Sequence, residues 1–374
     1  MLFQVLQEDL IKSVNSSIRF IAARPTLPIL SNFQLIAKGS TLHIQATNLE
    51  MSIADKIGAS VEEEGVITIP AKIFHEIVSN LPKGKLKFEV IKEELKIEAS
   101  DWKGKIPTSP SNDFPKIPDS IDEKKSFTLN KEDLAKNLSK ILFSASLDET
   151  RPVLAGVLFI FTKSQAKDPS TLTFVASDGY RLSKKTIKLD KDIQSKNLII
   201  PRPAIAEIIK QSTESSAITF EVKEDDNQIV VKIGDAYLSS RLIDGNFPEF
   251  EKIIPVRWDT KVNVDKNDLG RGVKLASVFA RDSGNIIKMA IAQNNIELKS
   301  EGTKVGNQTG KIEAKVDGSP LEISFNYKFI EEFLNVVEGD SVEIKLTDQV
   351  SPAIFADPLN PDFLHLIMPV VTQN

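Results

Sequence analysis

The chain has 374 residues and a formal net charge of −5, and this length predicts two or three domains. Its longest apolar run, Ala155 to Phe161, is far shorter than the roughly 20 residues of a membrane-spanning helix, so a membrane span is excluded. Cysteine is absent, which excludes disulfides, thiol catalysis and cysteine-bound metal and fits a reducing cytosol. The start, Met1-Leu2-Phe3-Gln4, has no basic region before an apolar stretch, so no secretory signal is expected.

The residues that enzymes use for catalysis do not form a recognisable pattern in this chain. The three histidines, His43, His75 and His365, lie far apart, so a zinc or two-metal site is poorly supported. Neither a serine-hydrolase elbow nor a glycine-rich phosphate loop is present. The sequence therefore argues against an enzyme and predicts no cofactor and no metal.

The first third of the chain reads as helix, strands, helix, strands. A helix over 8–22 begins at acidic residues and carries Leu10, Val14 and Ile18 on one face. A strand then leads through Ala46-Thr47-Asn48 into a second strand. Ile67-Thr68-Ile69-Pro70 leads into a helix over 71–80, because proline suits the first turn of a helix.

The same elements recur in the same order in the rest of the chain. The second set is a helix over 131–143, strands around Ala176-Ser177-Asp178, and a helix over 202–210 after Pro201. The third set is a helix over 266–281, a weaker strand copy over 296–302, and a helix over 326–337. A register kept through three elements is typical of an internal repeat.

This repeat predicts an α+β protein of three similar domains, with helices on one face of antiparallel sheets. Proline clusters at 107–118 and 248–255 place the domains at 1–124, 125–256 and 257–374. The six predicted helices carry a formal charge of +4 and the remainder carries −9. Such a division suits a protein that presents helices to an anionic polymer, although exposed helix faces often carry Lys and Arg without that role.

Several segments carry a resemblance to a known family. They include Arg24-Pro25-Thr26-Leu27-Pro28, Ala176-Ser177-Asp178-Gly179-Tyr180-Arg181-Leu182 and Leu366-Ile367-Met368-Pro369. With these segments the chain resembles the bacterial DNA polymerase III β subunit, the replicative sliding clamp, over essentially its whole length. The resemblance implies a DNA clamp fold, with two head-to-tail subunits forming a ring whose helices line the hole.

The same resemblance implies a function and a set of partners. The ring would encircle duplex DNA without reading bases, and would tether the replicative DNA polymerase and other proteins that carry a clamp-binding motif. A separate clamp loader would use ATP, and the cytoplasm would be the location. The clamp itself would catalyse nothing.

Three groups of site residues follow from the resemblance or from helix position. Family positions that touch DNA match Arg24, Arg151 and Arg202, and helix position adds Lys12, Lys72, Lys136, Lys140, Lys210, Arg271 and Lys274. The peptide-binding pocket of the family matches Leu154, Ser177, Gly179, Tyr180, Arg181, Leu182, Pro248, Lys252, Ile253, Asn326, Phe329, Val350, Pro352, Leu366, Met368, Pro369 and Val370. The dimer interface matches Ile106 on one side and Val278 and Phe279 on the other.

Within the pocket, Leu, Val, Ile and Met would accept apolar anchors, and Arg181 and Asn326 would hold the peptide backbone. Lys252 stands where the family usually has Arg, and Pro152 and Val153 stand where it often has aromatic residues. Two other functions remain open: a non-catalytic scaffold of the same fold that binds peptides without DNA, and a hydrolase with carboxylate chemistry.

Overall fold

The structure is a computed structural model that describes residues 1–22, 24–163, 169–189, 194–212, 217–302 and 306–371. They form two compact units. Unit 1 comprises Met1–Ala135 and Ala206–Leu242, and unit 2 comprises Lys136–Ile205 and Ile243–Asn374. The predicted α+β class with three similar domains is confirmed, since helices and antiparallel strands recur three times along the chain.

The described residues contain six α-helices, each close to its predicted position. They are α1 (Gln7–Ser17), α2 (Ala71–Asn80), α3 (Lys131–Leu142), α4 (Arg202–Gln211), α5 (Lys266–Ala280) and α6 (Tyr327–Leu334). The predicted first helix is wrong at its end, because Ile18–Phe20 form a 3₁₀ turn after Ser17. The last helix also ends before its predicted limit.

Helices α5 and α6 begin at side-chain caps that the sequence supplies. The carboxylate of Asp265 accepts hydrogen bonds from the backbone N–H groups of Asn267 and Asp268. Asn326 caps α6 by accepting from the N–H of Lys328. These oxygens satisfy donors that have no partner inside the helix, which fixes where each helix starts.

Unit 1 contains two antiparallel sheets. Its strands are β1 (Leu2–Leu6), β2 (Asn32–Lys38), β3 (Thr41–Thr47), β4 (Met51–Gly58), β5 (Ser60–Glu63), β6 (Gly65–Pro70), β7 (Lys85–Ile91), β8 (Glu94–Ala99), β9 (Trp102–Pro107), β10 (Ser126–Asn130), β15 (Ala217–Lys223), β16 (Gln228–Ile233) and β17 (Ala236–Arg241). One sheet has the order β5-β1-β7-β8-β9, and the other has the order β10-β15-β16-β17-β4-β3-β2-β6.

Unit 2 contains one sheet of twelve strands. Its strands are β11 (Gly156–Thr162), β12 (Thr171–Ser177), β13 (Arg181–Lys188), β14 (Lys196–Pro201), β18 (Thr260–Asp265), β19 (Ile286–Ala292), β20 (Asn295–Gly302), β21 (Gly306–Gly318), β22 (Leu321–Asn326), β23 (Ser341–Leu346), β24 (Ala353–Ala356) and β25 (Phe363–Ile367). Their order is β14-β11-β12-β13-β25-β24-β23-β18-β21-β20-β19-β22.

Each unit holds one antiparallel strand pair that joins consecutive repeats. In the unit-1 seam, β4 pairs with β17 and Ser52 lies opposite Ser239. In the unit-2 seam, β13 pairs with β25 and Leu182 lies opposite Leu366. Alternate side chains of a strand point to opposite faces, so each seam presents one set of paired residues outward and another inward.

Short backbone clips recur once in each repeat. Thr68 and Ser109 exchange two backbone hydrogen bonds, the N–H of Ile243 donates to the carbonyl of Ile199, and the N–H of Val370 donates to the carbonyl of Ser324. In each case the segment that leaves a repeat is tied to β6, β14 or β22, the outermost strand of its own sheet. Equivalent residues of the three repeats can therefore be identified by counting from the clip residue of each repeat.

Candidate functional site

A mostly apolar cavity of about 130 Å³ lies beside the unit-2 seam. It is lined by Leu154, Ser177, Gly179, Arg181, Leu182, Phe247, Pro248, Glu249, Phe250, Ile253, Leu366 and Met368. Nine of these twelve residues belong to the predicted pocket. The structure therefore gathers residues from Leu154 to Met368, more than two hundred positions apart in the sequence, into one depression.

Paired leucines form the floor of the cavity. Leu182 and Leu366 lie opposite each other across the seam and are both buried. They pack in one cluster with Leu158, Val175 and Ile199, and Met368 lies at the edge of that cluster. A floor of close-packed aliphatic side chains keeps its shape without a ligand, which suits an apolar anchor residue.

A 3₁₀ turn, Phe250–Ile253, forms one lip of the cavity. Phe247, Glu249 and Phe250 are lining residues that the sequence analysis missed. The only sequence signal for them is their position in the proline-marked segment around Pro248. Lys252 forms an ion pair with Glu249 on the exposed side of the turn and does not line the cavity.

The β12–β13 turn forms the opposite lip. Gly179 has φ +92°, a conformation that residues with a Cβ rarely adopt. Ser177 Oγ accepts from the N–H of Gly179 and donates to the carbonyl of Arg181, which holds the turn closed. A Cβ on Gly179 would lie 3.3 Å from Nη1 of Arg151, so this predicted DNA contact lies at the lip of the cavity.

Arg181, which is predicted to hold a peptide backbone, lines the cavity and is itself held by three hydrogen bonds within the protein. Its guanidinium donates to Asp178, to Glu332 and to the carbonyl of Phe143, and the side chain is only 9% exposed. It also stacks 4.5 Å from the ring centroid of Phe329. One hydrogen bond from each guanidinium nitrogen fixes the side chain in the lip, and two of its five N–H groups remain for a ligand.

The other predicted pocket residues lie outside the cavity. Tyr180 and Val350 are 62% and 60% exposed. Asn326 caps α6, Phe329 stacks on Arg181, and Val370 forms the third clip through its N–H. Pro352 and Pro369 are half-buried and do not line it.

A buried polar chain lies beneath the cavity. Nδ1 of His365 is 2.8 Å from Oγ of Ser183, and that hydroxyl is 2.7 Å from Oγ of Ser144. The His365 ring stacks on Phe333 with centroids 5.2 Å apart. Burial, together with the charge of Arg181, lowers the pKa of His365 to about 3, so the imidazole is neutral at ordinary pH.

Most of the predicted DNA contacts are solvent-exposed, as a phosphate contact requires. Exposed members are Lys12, Arg24, Lys72, Lys136, Arg151, Lys210, Arg271 and Lys274. Arg202 is half-buried, and its Nε has no hydrogen-bond partner. Lys12 and Lys210 also line one polar cleft of about 660 Å³ in unit 1, together with Arg19 and Lys56.

The prediction that Lys140 contacts DNA needs correction. Its side chain is 4% exposed and its ammonium group lies 2.8 Å from Glu338, which Lys136 also contacts at 2.9 Å. Hydrogen bonds from these two lysines and from Asn360 lower the pKa of Glu338 to about 2 despite partial burial. A buried, ion-paired lysine cannot reach a phosphate, so Lys140 stabilises unit 2 instead.

The predicted dimer residues differ in their exposure. Ile106 is 4% exposed and belongs to the core of unit 1, so its predicted contact with a second subunit is wrong for the side chain. Val278 is 53% exposed and Phe279 is half-buried. Leu275 on α5 and Ile73 on α2 are further apolar side chains with large exposed fractions, 55% and 49%.

Three domain models of the DNA polymerase III beta subunit match the chain in order. The N-terminal domain matches residues 1–118, the central domain residues 128–249 and the C-terminal domain residues 251–371. The chain belongs to the DNA polymerase III beta subunit family. The recognition of this family from sequence is thereby confirmed.

Individual relatives agree with the family models. A beta sliding clamp of Caulobacter vibrioides is 30% identical over 366 residues, covering 96% of this chain and 97% of that protein. One of Staphylococcus aureus is 26% identical over 381 residues, covering 99% of both. The crystal structure of the DNA polymerase sliding clamp of Bacillus subtilis is 26% identical and superposes with a TM-score of 0.93 over 100% of both chains.

No described helix is long and apolar enough to cross a membrane. In the same part of the chain, His, Asp and Glu side chains do not gather in a group of three that could hold a metal ion.

Proposed function

We propose that this protein is a DNA sliding clamp. Two copies join head to tail into a closed ring around duplex DNA, and the cavity at the unit-2 seam binds short peptide segments of the replicative polymerase and of other partners. A clamp loader opens and closes the ring, the protein works in the cytoplasm, and it catalyses no reaction. The domains follow the boundaries 1–124, 125–256 and 257–374.

The apolar cavity is the observation that carries the peptide-binding part. Leu182, Leu366 and Met368 form an apolar surface between two lips, and both lips are held by contacts within unit 2. A preformed apolar depression binds an aliphatic or aromatic anchor with little loss of entropy in the receptor. The exposed Tyr180 and Val350 would extend that surface along a bound segment.

Two unpaired strand edges support the ring. Among the described strands, β9 has only β8 as a neighbour, and the first half of β21 pairs on one side only, with β20. β9 occupies the same place in its repeat as β17 and β25, since each ends just before a clip. β21 follows β20 through a hairpin, as β4 follows β3 and β13 follows β12.

The register of the missing seam follows from the two seams within the chain. Ser52, Leu182 and Gly306 each form the last pair of their hairpin. Their seam partners lie four residues before a clip residue, Ser239 before Ile243 and Leu366 before Val370. Four residues before Ser109 is Lys105, so Gly306 would lie opposite Lys105 of the partner subunit. A second copy would thus complete the pattern twice in a two-fold ring.

Topological retention on DNA tests the function. The protein is loaded by a clamp loader onto a nicked circular plasmid, and the complex is isolated by gel filtration before and after the plasmid is cut. A sliding clamp stays on the circle and is lost once the DNA is linear, because its DNA contacts are weak and directed to phosphates. Equal retention on both forms would contradict the proposal, and failure of retention with intact peptide binding would favour the scaffold.

A further inference from the structure

One glutamate recurs at the same position in all three repeats. It is the sixth residue of the second helix of each repeat: Glu76 in α2, Glu207 in α4 and Glu332 in α6. The thirteenth position counted from the start of the first helix of each repeat is also equivalent: it is Arg19 in the 3₁₀ turn that follows α1, Phe143 directly after the end of α3, and Val278 within α5. Two of the glutamates lie at a seam between repeats and bind a cation there.

At the unit-1 seam the glutamate binds the thirteenth position directly. Nε of Arg19 donates to the carboxylate of Glu207 at 2.6 Å, and both side chains are mostly buried. The same guanidinium donates to the carbonyl of Asn15, one turn towards the start of α1. This contact joins a helix of the first repeat to a helix of the second.

At the unit-2 seam the glutamate reaches the thirteenth position through an arginine. Arg181 donates to the carboxylate of Glu332 with one nitrogen and to the carbonyl of Phe143 with another. Both glutamates therefore neutralise a guanidinium that lies at or beside the thirteenth position of the preceding repeat. The common arrangement is a carboxylate from one repeat and a cation near the end of the first helix of the preceding repeat.

The third glutamate lacks such a partner within the described part of the chain. Glu76 is exposed, and its carboxylate takes part in no hydrogen bond or ion pair among the described residues. It shares a face of α2 with the exposed Ile73, three residues earlier. The matching thirteenth position is Val278, which is exposed on α5 beside Leu275.

The cation nearest to Val278 on the same face of its helix is Arg281. It is exposed and has no ion pair among the residues that the structure describes. Long side chains of a helix lean towards its start, so Arg281 covers the turn that holds Val278. Lys274, four residues before Val278, leans away from it for the same reason.

We propose that Glu76 of one subunit pairs with Arg281 of the partner subunit, so that a third carboxylate–guanidinium contact closes the seam between subunits. This inference rests on the proposed ring and names the polar contact that aligns its helices. Ile73 of one subunit would pack on Val278 of the partner subunit beside it. The ion pair selects the correct register, since a shifted α5 would leave both charges without a partner.

Charge reversal with rescue tests the pair. The dimer dissociation constant is measured by sedimentation equilibrium for the full chain, for Glu76→Arg, for Arg281→Glu and for the double variant. Each single reversal should raise the constant at least about tenfold, because two like charges then face each other at both seams of the ring. The double variant should return to within about threefold of the original.

The variant Lys274→Glu is the matched control on the same helix. Combined with Glu76→Arg it should not restore the dimer, whereas Arg281→Glu should. A stable dimer that tolerates Glu76→Arg unchanged, or that is rescued by Lys274→Glu alone, would overturn the pair and leave the ring intact. An unmodified chain that stays a 41.4 kDa monomer at all concentrations would contradict the proposed ring itself.

Discussion

At the unit-1 seam Ser52 lies opposite Ser239, whereas at the unit-2 seam Leu182 lies opposite Leu366. The two serine hydroxyls hydrogen-bond at 2.6 Å, and the two leucines form the floor of a cavity. The two seams also share one backbone hydrogen bond. The N–H of Arg241 donates to the carbonyl of Glu50 in one seam, and the N–H of Met368 donates to the carbonyl of Tyr180 in the other. The same backbone joint thus becomes a polar closure or a peptide pocket according to the two side chains that face each other across it.

The largest effect should come from removing the leucine floor. Leu366→Ala should lower the free energy of unfolding of unit 2 by about 2–5 kcal/mol, because a fully buried side chain leaves a void. Peptide affinity should fall at the same time. Urea unfolding and fluorescence anisotropy with a labelled polymerase peptide measure the two effects. Met368→Ala at the cavity edge is the milder comparison, and intact peptide affinity in both variants would contradict the pocket.

Acid should weaken the two seams unequally. Ser183 lies opposite His365 in unit 2, and the equivalent pair in unit 1 is Ile53 and Leu238. Because the pKa of His365 is lowered to about 3, the unfolded chain binds a proton near pH 6.5 that the folded unit does not. Above pH 6.5 this group does not lower the free energy of unfolding of unit 2. As pH falls from 6.5 towards 3, that free energy declines by about 1.4 kcal/mol per pH unit.

The two tryptophans separate these responses. Trp102 lies in unit 1 and Trp258 in unit 2, so single-tryptophan variants report one unit each during urea unfolding. Between pH 6.5 and 5 the midpoint of unit 2 should fall more than that of unit 1. This window lies above the range in which Glu338, with a pKa of about 2, loses its charge. The variant His365→Leu should remove the excess loss of unit 2, while the smaller acid response of His43 in unit 1, whose pKa is lowered by partial burial, stays; an unchanged excess in unit 2 would refute the assignment.

A smaller effect should follow from breaking the serine pair of the unit-1 seam. Ser239→Ala removes one partner of a buried hydroxyl pair, which should lower the free energy of unfolding of unit 1 by about 1–2 kcal/mol. Peptide affinity should stay unchanged because the cavity lies in unit 2. A loss of peptide affinity equal to that of Leu366→Ala would show that the two seams are not independent.

The smallest effect should come from the lip residue Lys252. Its ion pair with Glu249 is highly exposed, so Lys252→Ala should change the free energy of unfolding by less than about 0.5 kcal/mol. Lysine does not reproduce the planar contacts of the arginine that the family usually has there. Lys252→Arg should therefore change peptide affinity more than stability, and calorimetry of both variants checks the order.

The sequence was sufficient to predict the repeated elements and, through the family resemblance, the aliphatic residues of the pocket. Leu182, Leu366 and Met368 belong to strands or strand ends whose position follows from motif and period. The sequence was not sufficient for the direction of individual side chains. Ile106 and Lys140 carry suitable chemistry but are buried. The packing of neighbouring elements decides which side chains are covered, and this packing cannot be read from period or helix position.

Arg181 and Phe250 show a second reason why the sequence did not predict some of the contacts. Three of the five N–H donors of Arg181 bind Asp178, Glu332 and the carbonyl of Phe143, which are distant or unremarkable in the sequence. Phe250 enters the pocket through a 3₁₀ turn that has no apolar period. Contacts made by tertiary packing carry no local signal, so only the folded structure identifies them.

The three backbone clips also determine how the protein behaves at high concentration. A free sheet edge is a template for adding strands from other molecules, and edge-to-edge addition without limit produces fibres. By tying each departing segment to β6, β14 or β22, the chain blocks one edge in every repeat at the cost of one or two hydrogen bonds. Open edges remain among the described strands at β5, β9, β10 and the first half of β21, and the proposed head-to-tail ring would cover the two at β9 and β21.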